Sequence, residues 1–363
     1  MGLIKFNNEQ KLIENEIRKF AVQEIEPISQ KIEKDGRIPE GIFKKLMELG
    51  LLAPIIPLEL GGAGMDTTSL CIIIEELSKY CASLGLVIAV NNGLGSFTLL
   101  KLGLEKAKPY LTRLVHGEIM GFSYDNESKG LEIVQENPLI INGKRRFVFN
   151  GELANFFLFE LNTEKGSGLF VIEKLASKQI EIPYSLGMKG AGIADIVFEK
   201  LQISEESRLI DGVNFIKAME GINSYFNLCL SAIALGIAQA GLDASIKYSK
   251  ERRQFNRPIC EFPMVREMLA EMKIKIESAR NLVYDAANRV DSGEDYILAA
   301  DIALATAAET AVYCGIKSVQ VFGGYGYTKD YPVERYLRDA KSIQVIGRSG
   351  FVLKEKIVRN LLG

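Results

Sequence analysis

The hydrophobic period changes twice along this chain, and each change marks where one architecture gives way to another. In the first 118 residues, Ile13, Ile17, Phe20 and Ala21 recur at helical spacing, and Pro27 should end or bend that helix. Residues 40–50 give a second helix, and Asp66 is placed to cap a third that carries Leu70, Ile73, Ile74 and Leu77. Near Met120 the texture becomes short β-rich runs, among them Leu139-Ile140-Ile141, Phe147-Val148-Phe149, Phe156 to Leu161 and Ile196-Val197-Phe198. The first two flank Asn142-Gly143, which predicts a hairpin there. From about Asp211 the helical period returns, with Leu228, Leu235 and Leu242 on one helix and Val265, Leu269, Met272 and Ile276 on the next. Ile297 to Val319 and Val352 to Leu362 make two more. The expected fold is mainly α with a central β domain. It divides into an N-terminal helical domain (1–118), a small β-barrel or sandwich (119–208) and a C-terminal four-helix bundle (209–363).

Composition removes several function classes. A net charge of −2 gives no basic footprint for nucleic acid or an anionic membrane. Glu9, Lys11 and Glu14 break up the N-terminus and no long uncharged span stands out, so a cytoplasmic protein is expected, with no membrane partner. Cys71, Cys81, Cys229, Cys260 and Cys314 show neither CxxC spacing nor a disulfide framework and read as reduced core thiols. His116 is the single histidine, which leaves no multi-histidine metal site and makes a Ser-His-Asp triad a poor fit. No metal is expected.

Three stretches carry chemistry. Gln320-Val321-Phe322-Gly323-Gly324-Tyr325-Gly326-Tyr327 follows an apolar helix and precedes Pro332, Arg335 and Arg338-Asp339-Ala340. A Gly-Gly-x-Gly run at a helix end permits positive φ and close approach of a phosphate, although alone it is weak evidence. Leu51-Leu52-Ala53-Pro54 leads into Glu59-Leu60-Gly61-Gly62-Ala63-Gly64, and Tyr248 to Phe255 leads into Arg257-Pro258-Ile259. In this order and texture the chain resembles the acyl-CoA dehydrogenase family of flavoproteins over almost its whole length. The resemblance implies FAD as cofactor, an acyl thioester on CoA or a carrier protein as substrate, and a flavoprotein as electron acceptor. It further implies that Arg252, Phe255, Gln320, Gly323, Gly324 and Ser349 hold FAD, several of them reaching across a dimer interface. A homodimer or homotetramer follows, or a hetero-oligomer with a homologue.

The chemistry-bearing positions depart from that family. Its usual Glu base, counted forward from Arg338-Asp339-Ala340, falls on Gly347, and its alternate base position falls on Phe226. The catalytic residue is therefore unknown from sequence. Tyr225, Glu220 and Asp125 are loose substitutes. The family's Thr that bonds flavin N5 becomes Phe149, its Thr-Glu-Pro segment becomes Ser123-Tyr124-Asp125, a CoA-binding Arg becomes Asn227, and an FAD-contacting Gln becomes Pro263. Two readings stay open: an FAD oxidoreductase with a non-standard acyl thioester, and a silent FAD-binding subunit partnering an active homologue. A third is flavin chemistry without Cα proton abstraction.

Overall fold

The computed structural model describes residues 5–103, 105–124, 130–347 and 350–362. Seven helices come first: α1 (Asn8–Phe20), α2 (Ser29–Asp35), α3 (Glu40–Glu48), α4 (Thr67–Ser78), α5 (Ala82–Ala89), α6 (Phe97–Leu102) and α7 (Lys108–Val115). The N-terminal signals work as read. Asp66 accepts a hydrogen bond from the Ser69 amide at 2.6 Å and so starts α4. After α1 the chain passes through a π-turn, Ala21–Ile25, into a short turn that contains Pro27.

Eight strands follow: β1 (Met120–Ser123), β2 (Leu131–Glu136), β3 (Leu139–Val148), β4 (Phe156–Thr163), β5 (Gly166–Glu173), β6 (Gln179–Glu181), β7 (Ala194–Ile203) and β8 (Arg208–Asp211). They form two four-stranded sheets, ordered β1-β4-β5-β8 and β2-β3-β7-β6, with β1 parallel to β4. The run Phe156-Phe157-Leu158-Phe159 is apolar throughout because both faces of β4 are covered. Phe157 and Phe159 fill the core between the sheets, while Phe156 and Leu158 join the large core shared with the helices.

The Asn142-Gly143 hairpin is corrected. Both residues lie inside β3, and β2 pairs with β3 around a turn at residues 137–138. Gly143, at φ +109°, is spent on an irregularity in the β3–β7 ladder, where a β-carbon would lie 1.9 Å from the Gly130 carbonyl oxygen. Gly143 supplies positive φ in either setting, and here it serves the shift in the β3–β7 register.

The C-terminal part comprises α8 (Gly212–Glu251), a two-residue hairpin of β9 (Arg253–Gln254) and β10 (Arg257–Pro258), α9 (Pro263–Asp291), α10 (Ile297–Phe322), α11 (Val333–Ile346) and α12 (Phe351–Leu362). α8, α9, α10 and α11 pack as the bundle, and α12 lies against α10. The fourth bundle helix is thus α11, directly after the glycine loop. Three helical stretches, Ala82–Leu102, Gly212–Glu251 and Ile297–Tyr327, are long and apolar enough to cross a membrane, which corrects the expectation of no such span. Their apolar windows are 89%, 78% and 50% buried inside the fold. Cys71, Cys81, Cys229 and Cys314 are buried free thiols, and Cys260 is half-buried. His116 sits exposed at the end of α7, its Nδ1 2.7 Å from the Thr112 carbonyl oxygen.

Candidate active site

Three cavities lie where the sequence placed chemistry. The first, about 470 Å³, is formed by Arg252 at the end of α8 and the Gly323-Gly324-Tyr325 turn at the end of α10. Gly323 holds φ +60°, and no atom lies within 4 Å of a β-carbon built on Gly323 or Gly324, so their backbone faces open space. The Arg252 guanidinium stands 5.6 Å over the Tyr325 ring. A cation beside glycine backbone with room for close approach is an arrangement that suits a diphosphate. Phe255 and Gln320 lie outside the lining of this cavity. Phe255 occupies the β9–β10 turn at φ +48° and is 88% exposed, and Gln320 is exposed on the last turn of α10. Ser349 and Asp125 lie outside the described residues.

The second cavity, about 400 Å³, separates the β domain from α11. Tyr124 and Phe149 form one side, the Ser185–Met188 segment another, and Ser342, Val345 and Ile346 of α11 a third. Phe149 is fixed by paired backbone bonds with Phe122, at 3.0 and 3.1 Å. It presents a ring where the resemblance expects a hydroxyl.

The third cavity, about 390 Å³, brings together both expected base positions, Gly347 and Phe226. It shares Tyr124 and Ile346 with the second, so the two meet edge to edge. Neither base position offers a proton acceptor. Phe226 is buried, its ring centroid 5.8 Å from that of Phe149 in an edge contact. A β-carbon on Gly347 would lie 2.6 Å from Leu304 Cδ2. The carboxylates lining this cavity are Glu160 and Glu220. Glu220 is exposed on α8. Glu160 follows Phe156 and Leu158 on the face of β4 turned toward the helices. Tyr225 is removed from the list of substitute bases: it is buried, its ring stacks on Phe97 at 3.6 Å, and it does not line the cavity. Burial pushes its hydroxyl well above the usual tyrosine range.

Sequence reading missed two features here. Glu160 is a lone charge inside an apolar strand, and Asp301 a lone acid inside an apolar helix; each pattern was a signal. Asp301 is fully buried, pairs with Lys356 Nζ at 2.7 Å, and accepts from Asn227 Nδ2 at 2.8 Å and Ser224 Oγ at 3.1 Å. Asn227, which stands where the resemblance expects a CoA-binding Arg, therefore spends its amide on Asp301.

Profiles described as acyl-CoA dehydrogenase N-terminal and C-terminal domains match residues 7–118 and 218–362. The chain belongs to the acyl-CoA dehydrogenase family. It is 34% identical over 355 residues to a short-chain specific acyl-CoA dehydrogenase of Clostridium acetobutylicum, covering 93% of each chain. It is 32% identical to a 3-(aryl)acrylate reductase of Clostridium sporogenes, with 98% of this chain and 99% of that one covered. Among solved structures, butyryl-CoA dehydrogenase from Megasphaera elsdenii superposes with a TM-score of 0.92 at 27% identity, covering 99% of this chain and all of the other. A family member of this kind is an FAD-dependent oxidoreductase acting on acyl thioesters.

Proposed function

We propose that this acyl-CoA dehydrogenase family member seats the FAD ring in the cleft between the β domain and α11, and the acyl thioester in the cavity beside it. The observation that carries this reading is the shared wall: Tyr124 and Ile346 line both spaces, so a thioester carbon and a ring meet there. Bound FAD supplies the two-electron acceptor. The chain's residues orient the thioester against Phe149 and Phe226, and Glu220 or Glu160 takes the Cα proton. The diphosphate cradle at Arg252, Gly323 and Gly324 shares no lining residue with the ring cleft, which supports donation of that cradle to a neighbouring copy. Phe255 and Gln320, both exposed nearby, join it from the surface, and Ser349 serves the same cofactor. We place the protein in the cytoplasm as a homodimer-based homotetramer that hands electrons to an acceptor flavoprotein. Asn227, engaged with Asp301, favours a carrier-protein thioester over free CoA.

A second reading is favoured by the packing at Gly347 and Phe226: a silent subunit that lends its cradle to an active homologue. Anaerobic mixing of the flavoprotein with acyl-CoA and acyl-carrier thioesters separates the two. Bleaching of the flavin absorbance, lost in Glu220→Gln or Glu160→Gln, supports the enzyme. A yellow protein that no thioester bleaches, and that co-purifies with a homologue, supports the subunit.

A further inference from the structure

We propose that Asp339, with Arg338 beside it, is a positioning residue that fixes the Ser185–Met188 wall of the ring cleft and so sets how tightly FAD is held. The proposal rests on the assignment of that cleft to the flavin ring.

The contacts form a clamp. Arg338 Nη1 donates to the Leu186 carbonyl at 2.7 Å, and the Met188 amide donates to Asp339 Oδ1 at 2.7 Å. Between those bonds, Gly187 packs so tightly on α11 that a β-carbon would lie 2.6 Å from the Arg338 carbonyl carbon and oxygen. Met188 is held at φ +51°, a conformation with a steric cost for any residue bearing a β-carbon. Such a conformation persists where surrounding bonds over-determine it. Arg338 is tied in turn to Glu33 of α2 at 2.8 Å and Glu334 at 2.7 Å, and Lys189 reaches the same Glu33 at 3.1 Å. One point therefore joins the N-terminal helices, the β domain and the bundle. Ser342, Val345 and Ile346, which line the cleft, follow Arg338 and Asp339 at helical spacing on the same face of α11. Moving the clamp moves the wall.

The clamp also carries a proton switch. Asp339 is buried against Arg335 and Arg338 of its own helix, Glu33 of α2, Cys81 between α4 and α5, and Tyr336. Burial pushes its carboxyl up to about 6. Protonation replaces a charge-assisted acceptor for the Met188 amide with a neutral one, which is about half as strong.

The test is FAD affinity and visible circular dichroism of the bound flavin for wild type, Asp339→Asn, Asp339→Ala and Gly187→Ala, titrated between about pH 5 and pH 8. Wild type is expected to hold FAD about fivefold more weakly at the acid end. Asp339→Asn should flatten that profile, because an amide accepts the Met188 bond without titrating. Asp339→Ala should weaken FAD about tenfold at every pH and change the dichroic band. Gly187→Ala keeps the carboxylate but pushes the wall, so it should change the band even if Asp339→Ala fails to fold. An unchanged band and affinity in Gly187→Ala, or the same pH step in wild type and Asp339→Asn, overturns the clamp. A protein that binds no FAD at any pH overturns the ring assignment beneath it.

Discussion

Gly347→Glu puts a carboxylate where the resemblance expects the family's usual base, and the packing around Gly347 decides what that change meets. Gly347 has φ −77° and ψ 0°, so the backbone itself accepts a side chain. The space does not. The new β-carbon would lie 2.6 Å from Leu304 Cδ2 and 3.4 Å from Leu230 Cδ1, and both leucines are fully buried. Forcing those side chains aside costs about 1–3 kcal/mol, the usual range for overpacking. A well-placed general base contributes ~10²–10⁴-fold in rate, so even partial success would be measurable. We expect wild type to reduce its flavin negligibly with saturated acyl-CoAs. We expect Gly347→Glu to melt a few degrees lower and to gain less than about tenfold, because the overpacked wall displaces the carboxylate and Phe149 still faces the ring. Anaerobic stopped-flow absorbance with butyryl-CoA and a thermal melt give both numbers. Rapid bleaching of wild type by butyryl-CoA would refute the reasoning, since an ordinary acyl-CoA would then reach a base in spite of the packing at Gly347 and Phe226. An unchanged melt in Gly347→Glu would refute the packing argument.

Arg252→Ala should weaken FAD by about 1.5–3 kcal/mol, the worth of a charge-assisted bond to a diphosphate, with helix content unchanged by circular dichroism. Unaltered FAD affinity would remove Arg252 from the cradle. Lys356→Met leaves the fully buried Asp301 without its cation and should cost about 3 kcal/mol in urea unfolding, although Ser224 and Asn227 still donate to it. Asp339 also predicts a stability profile. Its folded-state carboxyl sits at about 6 against an ordinary 3.8, so the stability it contributes is fully present below the lower value and is lost as pH rises through the higher. Asp339→Asn should therefore melt higher than wild type above pH ~7, by up to about 3 kcal/mol, and equally near pH ~3.5.

The fold was legible because period and burial agree along most of the chain. α4, α8 and α10 read as helices from their apolar spacing, and the glycine turn after Phe322 falls where the Gly-Gly-x-Gly run placed it. The misreading at Asn142-Gly143 has a physical origin: positive φ serves a turn and a bulge equally, and only the partner strand β7 decides between them. That glycine and phenylalanine stand where the resemblance expects a base was legible, as Gly347 and Phe226, but not what packs around them. Glu160 and Glu220 come from β4 and α8, sixty residues apart in sequence, and no spacing could have brought them to one cavity.

The altered positions share one physical character. Phe149 and Phe226 put two rings in edge contact where the resemblance expects a hydroxyl and, in some members, a carboxylate. Gly347 lets Leu304 and Leu230 close the wall behind them. An apolar wall disfavours any charge that develops at the thioester Cα, so it raises the cost of proton removal there. The polar groups of the cavity stand elsewhere on its lining: Glu220, Asn223 and Asn227 come from α8, Lys356 from α12 and Glu160 from β4. Asn227 and Lys356 are already engaged by Asp301, which leaves Glu220 as the charge on α8 best placed to meet a substrate. On the proposed assignment, the polar groups of this cavity lie away from Gly347 and Phe226. A substrate that reacts here must present its acidic hydrogen to that polar side, and a thioester bound in the ordinary orientation would meet only rings and leucines.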